Sequence, residues 1–565
     1  MIRTVSGVIL LTLSAGAAPS WAAAPAGAPP ALPAEHLTVA GVGPKSPHWV
    51  YVVDYAFNNE IDSRVYLFDG DTYRRIGQID AGFMPGVNLS PDGKTTVIAT
   101  TYFARGGHGT RTDVVEFNDN ATLGKSGEIV IPPKHAQTLA TMFTVAYSAD
   151  GKFVYTPYLT PAASFGVLDP ARKTVLSEID TAGCTLVIPW GPDRVSSICE
   201  SGRLLTVTLN AQGHEASRTS SEPFFNPDQD PVFAQGIPLS DGYAYLSFLG
   251  EVHEINFTQP KPVARPPWPL VSPAEKGTWR PGGVQVGAVH RLLGKLFVPM
   301  HRGGDGSHKA GGSEIWVFDL KSHQRTARWP IDIRRFGAVA AVQVSQDSAP
   351  LLFAATEQAD LLVFDAQTGR LNHDEKKLGQ TPQLLLNPRG VAMHPFDRVF
   401  ENSARSLAKR TSRRSLLASL GQLLTGAALL PLLPIDRTAR AQTPDSPVAK
   451  PTADEQNCEY WKFCAIDGFL CACCGGTSTS CPPGTQSSPI TWIGTCHNPA
   501  DGRDYIVSYN DCCGKVSCGD CFCNRNEGEK PMYRLSRNND VNWCMANSES
   551  NYHCSVSVIL GVAEK

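Results

Sequence analysis

The stretch NLSPDGKTTVIAT, residues 88–100, returns in altered form as YSADGKFVYTPYL at 147–159, and this pair decides the fold of the first part of the chain. In each copy an Asp-Gly dipeptide separates two runs rich in β-formers, the composition of a tight hairpin. A second phrase recurs beside the first: VYLFDGDTYRRIGQI at 65–79, FGVLDPARKTVLSEI at 165–179, VFDLKSHQRTARWPI at 317–331 and VFDAQTGRL at 363–371. Each reads as strand, turn and strand. Such units at intervals of roughly 45–55 residues predict a β-propeller, whose blades are four-stranded sheets around a channel, and residues 35–390 have room for about seven. Two successive β-sandwiches would also read as many short strands, but the repeated SxDGK hairpin favours the propeller. His108 in HGT and His301 in HRGGDG read as solvated turn histidines, and nothing else in 35–390 resembles a nucleophile or metal constellation.

At 565 residues the chain exceeds the roughly 250–300 residues at which single cores stop growing, so more than one domain is expected. Fifty basic against 53 acidic residues leave a net charge of −3, and no basic field of the kind that nucleic acid or an anionic membrane surface requires. Residues 1–24, MIRTVSGVILLTLSAGAAPSWAAA, have one basic residue, a short apolar core and small residues at Ala22 and Ala24, the pattern of a secretory signal peptide. A second export pattern lies at 391–441: Arg413 and Arg414 precede a moderately apolar run, and Ala439-Arg440-Ala441 closes it. This matches a twin-arginine signal with cleavage after Ala441. A membrane anchor is the alternative, weakened by Gly421, Gln422, Thr425 and Gly426 within the apolar run and by the small-x-small ending, so no stable anchor is expected. The grouping that follows is a propeller at 35–390, an internal signal or linker at 391–441 and a mature second part at 442–565.

Cysteine usage agrees with an oxidising destination, expected to be the periplasm. Cys184 and Cys199 stand alone in the first part and are expected to pair with each other; the other fourteen fall between Cys458 and Cys554. A domain of about a hundred residues cannot bury enough core unaided, and disulfides can stand in for it. Zinc is the competing use, since Cys471-x-Cys473-Cys474 and Cys518-x-x-Cys521-x-Cys523 look like thiolate clusters. The spacings do not form a paired CxxC ribbon, and the export signals lead out of the reducing cytoplasm, so no metal is expected.

The combination CAIDGFLCACCGG, TWIGTCHNP, YNDCCGK and VNWCMAN, spread over 455–565, resembles the small subunit of the quinoprotein amine dehydrogenases, the aromatic amine and methylamine enzymes. The family's large subunit is a propeller. The resemblance implies a tryptophan tryptophylquinone cofactor built from the protein itself, with Trp492 oxygenated to the quinone and Trp543 cross-linked to it. It implies Asp511 as catalytic base, Asp467 as a second aspartate beside the quinone, and Ser555 at a position usually threonine in the family. Taken alone, each tryptophan reads as a buried aromatic and Asp511 as a turn residue; Trp461 keeps that plain reading. The disulfides implied are Cys458–Cys523, Cys464–Cys496, Cys471–Cys554, Cys473–Cys521, Cys474–Cys518, Cys481–Cys512 and Cys513–Cys544, since spacing alone cannot choose among pairings.

The chemistry implied is oxidative deamination of a primary amine to aldehyde and ammonia. A carboxylate within hydrogen-bond reach must take a proton from the substrate's α-carbon while the quinone accepts the electrons. Reoxidation by a blue copper protein of azurin or amicyanin type, a maturation enzyme for the quinone, and an assembly of two large and two small subunits are further implications. Phe83, in AGFMPG at 81–86, resembles the phenylalanine that lines the substrate entrance in the large subunit. CACCGG and VNWCMAN lean toward the aralkylamine branch over methylamine. A secreted propeller with a cysteine-rich binding module and no redox chemistry is the rival from another class.

Overall fold

A computed structural model describes residues 36–56, 61–139, 141–259, 261–388 and 454–563. Both export patterns lie outside the described residues, and no helix among those described is long and apolar enough to cross a membrane.

The 36–388 part is built from antiparallel sheets of four, five and, in one case, seven strands, formed largely from consecutive strands. The repeated phrases explain why. In SPDGK the Ser90 hydroxyl donates to Asp92 (2.7 Å) and accepts from the Thr95 N–H (2.9 Å), while Gly93 takes φ +66°. SADGK repeats the closure with Ser148, Asp150 and Phe153, and Gly151 at φ +74°. A third copy was not visible as a repeat: in SQDSAPL, Ser345 bonds Asp347 (2.6 Å) and Leu351 (2.9 Å) without the Gly-Lys. In the second phrase, Asp69, Asp169, Asp319 and Asp365 each accept the N–H two residues on, and Asp119 does the same at a strand end outside the repeated phrase. Carboxylate-closed turns of this kind set the strand length and hence the repeat.

The first sheet is seven-stranded because the 16-residue strand Arg74–Leu89 serves two neighbours: its first half pairs with Ser63–Asp69 and its second with Thr95–Arg105. Pro382–Leu386 returns to pair with Trp49–Asp54, so the last strand of this part closes on the first. This is a β-propeller-like arrangement with one short α-helix among the described residues, Ile333–Phe336. Cys184 and Cys199 bridge adjacent strands.

The 454–563 part centres on Arg503–Cys513, which pairs with Trp492–Asn498 on one side and Tyr552–Val562 on the other. Asp467–Phe469 pairs with Phe522–Asn524 in a second small sheet. All sixteen cysteines are disulfide-bonded, so none offers a thiolate to a metal. The seven pairs here are Cys458–Cys523, Cys464–Cys496, Cys471–Cys554, Cys473–Cys521, Cys474–Cys518, Cys481–Cys512 and Cys513–Cys544. One apolar cluster runs through both parts, joining Phe225 and Val232 to Phe463, Trp492, Tyr533 and Trp543.

Candidate active site

Strand register brings the site together. Trp492 lies opposite Tyr509, two residues before Asp511, and Asp511 lies opposite Ser555 on the neighbouring strand. The Trp492 ring stacks on Tyr509 at 5.3 Å and donates its indole N–H to the Ala465 carbonyl (2.9 Å). Trp543 opens a short 3-10 turn capped by Asn542, and its indole N–H is held by the Asn538 carbonyl (3.2 Å). Each indole is 2% exposed. With both ring nitrogens anchored to backbone, the two ring planes are set by the fold.

Asp511 is buried, and burial pushes its carboxyl up to about 7 against two opposing hydrogen bonds. Ser555 Oγ donates to Oδ1 (2.8 Å), and the Trp543 backbone N–H donates to Oδ2 (3.1 Å). Behind Ser555 stands Tyr552, whose hydroxyl lies 3.1 Å from Ser555 Oγ and accepts the Phe469 N–H (2.8 Å). Asp511 is followed directly by Cys512 and Cys513, bridged to Cys481 and Cys544, so its strand is tied to the turn carrying Trp543.

A narrow cavity of about 30 Å³ is walled by Trp492, Asp511, Asp467 and Tyr552, by the 539–542 segment, and by Met84 and Leu139 from the propeller part. A buried carboxyl that titrates near neutrality beside an anchored indole is suited to general-base chemistry. Across the two parts, the first matches the family model for the methylamine dehydrogenase heavy chain over residues 47–388, and the second that for its L chain over 451–563.

The chain belongs to this family of quinoprotein amine dehydrogenases.

It carries both subunits in one polypeptide. Over 181 residues, 30% of its length, it is 52% identical to the aralkylamine dehydrogenase light chain of Alcaligenes faecalis, covering all of that relative. Among solved structures, it is 60% identical to a chain of the electron transfer complex between aromatic amine dehydrogenase and azurin from Alcaligenes faecalis, covering 97% of that chain and 20% of this one, with a TM-score of 0.19. It is 57% identical to a chain of an aromatic amine dehydrogenase TTQ–phenylacetaldehyde adduct, covering 94% of that chain and 20% of this one, with a TM-score of 0.20.

The remaining residues fall as follows. Asp467 lines the cavity, where burial raises its carboxyl to about 6 against the opposing Lys309 ammonium 3.3 Å away. Phe83 is buried, edge-on to Phe103 at 5.8 Å, and its neighbour Met84, at φ +43°, is the residue of this turn on the cavity wall. The Met84 carbonyl lies 3.1 Å from His135 Nε2. Trp461 packs on Tyr505 at 5.2 Å, away from the cavity. His108 is exposed, but His301 is not a solvated turn residue: it belongs to the strand Lys295–Arg302, is buried and has its ring nitrogen held low, at about 4, chiefly by burial. Sequence reading missed Lys309, Tyr552, Asn539 and Asp540; only Tyr552, three residues before Ser555 on a β-rich run, carried any local signal.

Proposed function

We propose that this chain oxidatively deaminates aralkylamines to aldehyde and ammonia with a tryptophan tryptophylquinone formed from Trp492 and Trp543. The observation that carries the reading is Asp511: a carboxyl poised near neutrality, bonded to the Trp543 backbone and sharing a cavity with Trp492. The two indoles fit the cofactor, being buried and fixed through their nitrogens, which leaves the carbon edges for oxygenation and cross-linking. When formed, the quinone supplies an electrophilic carbonyl and a two-electron sink. Asp511 takes the proton from the substrate's α-carbon, and Ser555 holds the ionised carboxylate in place. Met84, Leu139 and Val541 supply apolar wall that limits water beside the base.

The 52% identical light chain, named for aralkylamines, favours an aryl substrate. The narrow cavity favours methylamine as a second reading, because about 30 Å³ admits a small group and leaves an aromatic ring to be accommodated outside it. Turnover of phenylethylamine, tyramine and methylamine with an artificial acceptor separates the two; preference for methylamine defeats the aralkylamine reading. An intact mass matching two unmodified tryptophans, in protein matured in its own host, defeats the enzyme reading and leaves the binding module.

The reading extends to assembly. Counting the strand Arg74–Leu89 as two strands of adjacent blades supports a propeller of seven blades. Export to the periplasm on the 1–24 signal, cleavage after Ala441 to free a small subunit beginning at Gln442, pairing of two large with two small subunits, and oxygenation by a separate maturation enzyme complete it. Azurin in complex with the aromatic amine dehydrogenase of Alcaligenes faecalis supports a blue copper acceptor. N-terminal sequencing of the mature protein tests the cut: retention of 391–441 makes that segment a linker or anchor.

A further inference from the structure

Lys309 belongs to the propeller part, yet its half-buried ammonium is held by residues of the second part. Its Nζ lies 2.5 Å from Asp540 Oδ1, 2.5 Å from Asn539 Oδ1 and 3.3 Å from Asp467 Oδ2. All three partners line the cavity that holds Asp511 and Trp492. The loop bearing Lys309 is itself fixed. Gly312 exchanges backbone hydrogen bonds with Val339 (2.8 and 2.9 Å), Gly283 donates to the His308 carbonyl (3.2 Å), and Gly311 donates to Glu357 (2.9 Å). Next to it, the buried Glu529 accepts from Asn538 (2.8 Å) and pairs with His308 at 2.5 Å.

We propose that Lys309 is a positioning residue of the reaction, supplied by the propeller, which clamps Asp467 and the 539–540 wall of the cavity and keeps the Asp467 carboxylate charged. This rests on the amine dehydrogenase reading of the site and deepens it. A buried carboxylate without a partner takes up a proton rather than remain ionised in a poorly solvated site. The charged groups facing this point are Asp467, Asp540 and Glu529, with His308 behind Glu529; Lys309 is the cation set among the three carboxylates. Burial by itself lowers a lysine, but here the carboxylates outweigh it and hold Lys309 above its ordinary value, so it stays charged across the working range. Without Lys309, Asp467, Asp540 and Glu529 repel one another in a buried space, and the wall loses its shared anchor. The second part alone therefore lacks a complete site.

The test is infrared titration of the carboxylic acid band of Asp467, assigned by its loss in Asp467→Asn, in the full mature protein. Lys309→Met removes the cation and is expected to move the titration up by about one unit or more. Asp540→Asn removes a repelling carboxylate and leaves Lys309 paired with Asp467, so it should move the titration down. Opposite shifts support the inference; an Asp467 titration unmoved in Lys309→Met overturns it. Should Lys309→Met fail to assemble, Asp540→Asn decides alone, and no downward shift overturns the inference. With amine as substrate, Lys309→Met should lower kcat at neutral pH about tenfold or more. A parent protein that fails to oxidise any amine counts against the proposed function instead, because the infrared shifts do not depend on turnover.

Discussion

Ser555→Ala isolates one hydrogen bond of the proposed base. Ser555 Oγ donates to Asp511 Oδ1 at 2.8 Å with both groups buried. A hydrogen bond to a charged group contributes about 1.5–3 kcal/mol, and one pKa unit corresponds to about 1.4 kcal/mol. The bond favours the ionised carboxylate, so its loss raises Asp511 from about 7 by roughly one to two units, to about 8–9. At pH 7 the ionised fraction then drops from about one half to between about one tenth and one hundredth, and kcat/KM falls about 5- to 50-fold. The pH dependence of kcat/KM is the assay, expressed as the ratio of variant to parent so that ionisation of the substrate amine cancels. The ratio should recover toward one above the new value. Ser555→Thr keeps the hydroxyl and should leave the acid limb in place. An unmoved limb in Ser555→Ala, or a loss of activity equal at every pH, refutes the assignment of Asp511 as the titrating base held by Ser555.

Asp511→Asn should abolish deamination while raising thermal stability at pH 8. A carboxyl whose folded value is raised destabilises the ionised folded state, so the stability it contributes is present below pH 4 and lost as the pH climbs through about 7; asparagine has no such loss. Thermal unfolding of both proteins at pH 4 and 8 checks this, with the difference confined to the higher pH. Replacing Cys513 and Cys544 together by serine opens a loop of 31 residues and should lower stability by about 3–4 kcal/mol, with a further loss of kcat because the bridge joins the Asp511 strand to the Trp543 turn. Denaturant unfolding and steady-state rates measure the two effects separately. In Gly468→Ala the new methyl would lie 2.0 Å from the Tyr552 hydroxyl at a backbone φ of +142°, displacing the tyrosine behind Ser555. A fall in kcat/KM with quinone formation intact is expected, read from the amine-bleached visible absorbance.

The strands and turns were legible because their cause is local. A serine and an aspartate that close a turn on the next backbone N–H do so within five residues, and such turns recur through the sequence as phrases. The third copy at Ser345 escaped because the closure needs only the hydroxyl and the carboxylate, and the Gly-Lys that made the other two recognisable is dispensable. Trp492, Trp543 and Asp511 were legible only through their resemblance to a family. Their burial, and the cavity that Trp492 and Asp511 share, arise from strand register and from disulfides between residues 31 to 83 apart, and no periodicity reports either.

Lys309 marks the limit of that reading. SHKAGG looks like a solvated loop, and the partners of its lysine lie 158 to 231 residues further along the chain. What encloses the lysine is the packing of the second part against the propeller, through hydrogen bonds from Arg111 to the Met545 carbonyl (2.7 Å), from the Asn542 amide to Gln137 Oε1 (2.7 Å) and from Tyr533 to the Val232 carbonyl (2.8 Å). These bonds hold the 529–550 segment from both ends, and that segment contains Asn539, Asp540 and Trp543. A charge placed by one domain can therefore tune a carboxylate of the other only once the interface is complete. The propeller thus has a chemical role beyond support: Met84 from the strand Arg74–Leu89, and Leu139 and Lys309 from two loops, reach the site from one part, while Asp467, Asp511 and Ser555 come from the other. Loosening the interface at Gln137 should thus raise the Asp467 titration in the same direction as removing Lys309, with every residue around the aspartate unchanged.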